Sequence, residues 1–187
     1  MPNHVTNRVE ITSDEPFKID KLIESLKTSD EQIFDFNSII EMPEDSDTFQ
    51  ATGHLVISET SRQSSRGNWY DWSIKNWGTK WNAYSVNMER NSKHKVIYTF
   101  QTAWDCPFPV IQKLAEKFGV HVRCAYYDED FGHNCGICEV DENGTQIEEK
   151  DYSDNGLEFI AEEFGEVVMG DNFCVKDDKG CWVYDTY

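Results

Sequence analysis

Positive charge is scarce in this 187-residue chain: 17 Lys and Arg stand against 35 Asp and Glu, for a net charge of −18. A surface of that sign repels phosphate, and Arg90, Lys93, Lys95 and Arg123 are too few to build a basic reading face. Direct binding of DNA or RNA is therefore not expected. Long apolar runs are also missing. No stretch approaches the ~18 residues of a membrane span. The opening MPNHVTNRVEIT has neither the basic nor the apolar part of a signal peptide, so a cytoplasmic location is expected. There is no G-x-G-x-x-G, no phosphate-cradling P-loop, no glycine-rich nucleophile turn and no D-x-D-x-D-G calcium loop. Without an orienting group, a cysteine paired with His94, His121 or His133 makes no nucleophile, and no catalytic residue is expected. The six cysteines, in a chain with no leader, do not read as a disulfide framework.

What is present is enough apolar material for a core. Hydrophobic residues make up 39% and aromatics 13%, which argues against disorder despite the charge. His4 to Thr12 alternates Val5, Asn7, Val9 and Ile11, as a strand does. Ser13 or Asp14 can cap a helix with Pro16 in its first turn and Ile19, Leu22, Ile23 and Leu26 on its buried stripe. Gln32–Phe36 reads as a short strand. Residues 44–68 are polar and serine-rich, an insertion. A short helix over Trp69–Trp77 should stop at Gly78. Val86–Arg90 and Lys95–Phe100 read as a hairpin. Pro107 and Pro109 start a helix that buries Val110, Ile111, Leu114 and Phe118 and ends at Gly119. Val120–Tyr127 alternates as another strand. The order strand, helix, strand, strand, helix, strand is the split βαβ, ferredoxin-like pattern, so the fold class is α+β with helices on one face of an antiparallel sheet. Further on, Asn134–Val140 and Thr145–Glu149 flank the turn Asp-Glu-Asn-Gly, a hairpin signal. Asn155–Phe164 reads as a helix, and Phe173–Tyr184 as a hairpin around Asp177–Gly180. The expected organisation is a ferredoxin-like domain over 1–150 with an insert at 44–84, then an acidic helix-plus-hairpin extension over 151–187.

The combination of MPNHVTNRVEI, FDFNSIIEMP, IKNWGTKWNAYSV, FQTAWDCPFPVIQKLAEKF and NCGICEVDENG resembles the YubB-type ferredoxin-like domain of phage and plasmid accessory proteins. The resemblance runs over roughly residues 1–150 and is most specific at NWGTKW and TAW-x-x-P-x-P. It implies the fold and a mobile-element setting; it brings no catalytic residue. It also implies that Trp77 and Trp81 pack insert and helix onto the sheet, with Trp104 joining them, because buried indole contributes ~150–250 Å² per ring. Trp69 and Trp72 lie nearer the loop and are candidates for exposure.

Two features point to sites. Cys135-Gly-Ile-Cys138 has zinc-ligand spacing, although a strand at that place would turn the two thiols to opposite faces. A four-residue turn at Asp177–Gly180 would put Cys174 and Cys181 on one face. Cys135, Cys138, Cys174 and Cys181 then form a candidate structural zinc site, with Cys106, Cys124, His121 and His133 as substitute ligands. Free buried thiols, or a thiol-redox or small zinc enzyme centred on Cys135 and Cys138, are the alternatives. The second feature is charge. Residues 1–125 hold 17 acidic and 14 basic side chains, net −3, whereas 126–187 hold 18 and 3, net −15. The candidate contact residues are Asp128, Glu129, Asp130, Glu148, Glu149, Glu158, Glu162, Glu163 and Glu166. They form either a solvated face or a phosphate-mimicking one. The second reading gives a non-enzymatic phage or mobile-element protein that inhibits a host nucleic-acid-handling protein through that protein's basic face. An anti-CRISPR acting on a Cas effector is its most concrete form.

Overall fold

The computed structural model describes residues 2–43, 69–172 and 174–185. Strand β1 (His4–Thr12) alternates burial along its whole length, with Val5, Val9 and Ile11 fully inside. It lies between β3 (Lys95–Ala103) and β4 (His121–Asp128), antiparallel to both, so that Val9 faces Tyr98 on one side and Cys124 on the other. With β2 (Tyr84–Ser92) outside β3, the order β2-β3-β1-β4 is that of a ferredoxin-like core. Strands β5 (Cys135–Val140) and β6 (Gln146–Asp151) continue the meander, giving six antiparallel strands in this sheet.

Helices α1 (Pro16–Leu26) and α3 (Phe108–Phe118) cover one face. Ile19, Leu22 and Leu26 of α1 and Val110, Ile111, Leu114, Ala115 and Phe118 of α3 pack with Val9, Tyr98, Phe100, Val122 and Val140. Each large aliphatic buried there stabilises by roughly 1.5–3 kcal/mol before entropy is counted. Gly119 ends α3 in the left-handed conformation, φ 61, as its position after the last apolar residue predicts. Helix α2 (Trp69–Trp77) ends at Gly78 in the same way, φ 77.

Among the described residues, the second face is covered at its β4–β5 end. There α4 (Gly156–Phe164), α5 (Glu166–Asp171) and the hairpin β7–β8 (Cys174–Lys176, Trp182–Tyr184) build a separate apolar cluster of Ala125, Phe131, Cys135, Ile137, Phe159, Ile160, Met169 and Cys174. Arg123 of β4 anchors α4 by a two-pronged pair with Glu163, at 2.9 and 2.6 Å. Gly156 lets α4 begin against the backbone of Gly132, whose carbonyl oxygen would sit 1.9 Å from an added Cβ.

Several expectations are corrected. Gln32–Phe36 is no strand. Phe34 and Phe36 are buried, but side chains hold the backbone instead of a ladder. Gln32 Nε2 donates to Phe34 O and Ala83 O, and Asn82 Oδ1 accepts from Phe36 N. Trp77 is core, donating Nε1–H to Ile40 O and packing edge-on against Phe36 and Trp72. Trp72, a candidate for exposure, packs against the core, whereas Trp104 is 39% exposed and Trp81 only half-buried. The insertion assigned to 44–84 lies outside the described residues over 44–68. From Trp69 onward its remainder is α2 and the approach to β2.

Candidate metal centre

Cys124 and Cys138 are direct cross-strand partners on β4 and β5, both facing the main core. Cys106 reaches them from the turn before α3. Its amide donates to Asp105 Oδ1 at 2.8 Å, and its carbonyl accepts from Phe108 N. The Cys106 sulfur lies 3.7 Å from that of Cys124 and 3.8 Å from that of Cys138, and the three sulfurs lie within 4.8 Å of one another. Tetrahedral zinc with Zn–S bonds of ≈ 2.3 Å separates its sulfurs by about 3.8 Å, so this spacing suits one metal ion. All three residues are at most 7% exposed, so a metal held there would be closed off from bulk solvent.

The three thiols are pushed in different directions by one another and by burial. Cys138 is held down at about 5 by hydrogen bonds from Cys106 and then Cys124, which outweigh the cost of burial. Cys106 is pushed well up by its hydrogen bonds to Cys124 and Cys138 and by burial. Cys124 also rises: its bond with Cys106 lowers it, but Cys138 and burial prevail. Cys106 is the sulfur common to both contacts, and either partner can donate in each.

The four ligands proposed from sequence are not gathered. Only Cys138 belongs to the cluster. Cys135 sits three residues earlier on the same strand and faces the other way, into the second core, where burial and then Asp151 push its thiol to about 11. That geometry also removes Cys135 and Cys138 as a redox pair. Cys174 is buried beside Cys135's cluster, while Cys181 is exposed. The hairpin register explains the split. Cys174 faces Tyr184, not residue 183, because Asp177 pairs with Cys181 and its carboxylate accepts from the amides of Lys179 and Cys181. A one-residue slip turns Cys181 to the other face. Two substitute ligands, Cys106 and Cys124, complete the cluster instead. His121 is engaged with Glu139 at 2.7 Å, and His133 is not in the cluster.

The acidic residues sort by burial. Asp128 is 4% exposed and accepts from Asn3 Nδ2, Asn134 Nδ2 and its neighbour Asp130 N, so it organises a loop instead of meeting a partner. Glu163 is committed to Arg123, Glu148 to Lys150 and Glu166 to Lys176. Glu129, Asp130, Glu149, Glu158 and Glu162 remain exposed. They come from the loop after β4, strand β6 and helix α4; Glu149, paired with Cys138, shares the main-core face of the sheet, whereas α4 covers the other face.

The β2-β3-β1-β4 strand order with α1 and α3 on one face defines the class, a ferredoxin-like α+β domain. The chain belongs to the family of the ferredoxin-like domain in Api92-like protein, which it matches over residues 64–169, more than half its length. The crystal structure of Api92 from Yersinia pseudotuberculosis is similar to it, with a TM-score of 0.54 at 11% identity, covering 81% of this chain and 98% of that one. At that identity the likeness speaks for the fold alone. No curated protein matches. Among the described residues, no helix is long and apolar enough to cross a membrane.

Proposed function

We propose that this protein is a non-enzymatic binding module of a phage or other mobile element. Its acidic flank occupies the basic face of a host nucleic-acid-handling protein and blocks it, a CRISPR–Cas effector being the most concrete case. The observation that carries this reading is the concentration of acidic side chains in residues 126–187, with Glu129, Asp130, Glu149, Glu158 and Glu162 exposed to solvent. The segment that builds this flank holds 18 acidic side chains against Lys150, Lys176 and Lys179, and two of those lysines are already paired. Such a surface imitates a run of phosphates and steers a cationic groove toward it. A metal ion such as zinc, held by Cys106, Cys124 and Cys138 together with one further ligand, would tie the α3 turn to β4 and β5 and so stiffen the support beneath the flank.

The test is affinity capture from host cells with the wild-type protein and with Glu149, Glu158 and Glu162 all changed to Lys. The expected result is one dominant wild-type partner that the charge-reversed protein loses. Identical captures overturn the reading.

A further inference from the structure

The ammonium of Lys80 lies 4.9 Å from the ring centre of Trp81, 5.1 Å from that of Trp104 and 5.8 Å from that of Tyr70. Three aromatic rings thus surround one cation, with Tyr70 and Trp104 edge to face at 6.0 Å. The box opens to water: Trp104 is 39% and Tyr70 36% exposed. Converging ring quadrupoles of this kind bind ammonium heads, Trp most strongly.

A second observation concerns the backbone beneath the box. Trp104 has φ 77, a left-handed conformation that a bulky residue adopts only under constraint. The constraint is visible. Trp104 N donates to Asn3 O at 2.9 Å, and Trp104 O accepts from Asn134 Nδ2 at 3.1 Å. Asn134 itself has φ 43 and Ser85 φ 52; with Trp104 these are the positive-φ residues other than glycine among those described. All three lie at one end of the sheet, where β2 and β5 begin and β3 and β4 end. Strain concentrated at one place, and held there by added hydrogen bonds, marks sites that use it. Glu129 and Asp130 are exposed at the same end, so the box opens beside negative charge.

We propose that Tyr70, Trp81 and Trp104 form a receptor for a lysine side chain of a basic protein partner, and that Lys80 fills it as a resident competitor in the free protein. This deepens the binding-module reading and rests on it for the nature of the partner. The receptor itself is testable without that partner. An internal cation at cation–π distance shows that the box accepts this chemistry. The strained Trp104 keeps one wall turned outward where a relaxed backbone would let it fold away.

The experiment follows the indole N–H resonances of Trp81 and Trp104 by NMR, assigned with Trp81→Phe and Trp104→Phe, during titration with tetramethylammonium chloride and then with an oligolysine peptide. Wild-type protein should shift both resonances saturably. Lys80→Ala, which empties the box, should bind the ammonium about tenfold more tightly, a gain in keeping with one cation–π contact set. Trp104→Ala should lose the response while Trp104→Phe, which keeps a ring, retains it; the rest of each spectrum reports whether the fold is intact. Equal binding by wild type and Lys80→Ala, or shifts spread over the acidic surface that bypass both indoles, overturns the proposal. The Glu149, Glu158 and Glu162 reversal should leave tetramethylammonium binding by Lys80→Ala unchanged, so a failed capture and a failed receptor give different results.

Discussion

Tyr98 is fully buried in the centre of the sheet, and its hydroxyl has no hydrogen-bond partner among the described residues. Burial pushes its pKa up to about 12 from 10.0. The folded state therefore holds this proton more tightly than the unfolded chain does. Stability from the neutral phenol is complete below pH 10 and is lost as the pH rises through about 12. Tyr98→Phe should raise stability at neutral pH by up to about 1 kcal/mol, since a lone buried hydroxyl is removed, and should flatten the alkaline part of the denaturant midpoint-versus-pH curve. Asp128 is the opposite case. Its carboxylate satisfies two Asn side chains and a backbone amide, so Asp128→Ala should cost about 2–4 kcal/mol in urea denaturation and loosen the loop that carries Asn134. Its acidity was legible in the sequence; its burial was not, because Asn3, one of its donors, lies 125 residues away.

At the level of elements, periodicity carried most of the information. The alternation of β1 and β4 and the stripe of α3 name their own buried faces, and both glycine stops fall where expected. The thiol cluster was hidden for a related reason. Its members come from a turn and two strands, 18 and 32 residues apart, and the one local motif, C-x-x-C, is split by the strand period of two. Strand β6 depends on Gly136, whose added Cβ would meet Lys150 O at 2.3 Å and the Tyr126 hydroxyl at 2.9 Å. Gly136→Ala should strip hydrogen-exchange protection from β6 first, because backbone cannot retreat as a flexible side chain can. Arg123→Met should likewise release α4, leaving Glu163 without its partner, at a cost of about 1–3 kcal/mol. Exchange should speed up in α4 and α5 while β1 and β3 stay protected.

At the scale of the whole molecule, a buried three-thiol cluster lies inside a domain whose C-terminal third is strongly acidic. Purified protein should carry one zinc ion per chain by elemental analysis. Cys106→Ser and Cys124→Ser should each lose it, whereas Cys135→Ser and Cys174→Ser should keep it, because those thiols belong to the other core. Chelation should lower the thermal midpoint, since a metal bound only by the folded state adds its binding free energy to stability. The flank makes the more direct demand. Attraction between an anionic surface and a cationic groove is screened within about 10 Å at 0.1 M salt. The affinity of the captured partner for the wild-type protein, measured from low to high salt, should fall at least about tenfold across that range. An affinity that holds steady across it would mean that something other than the carboxylates makes the contact, and would contradict the account.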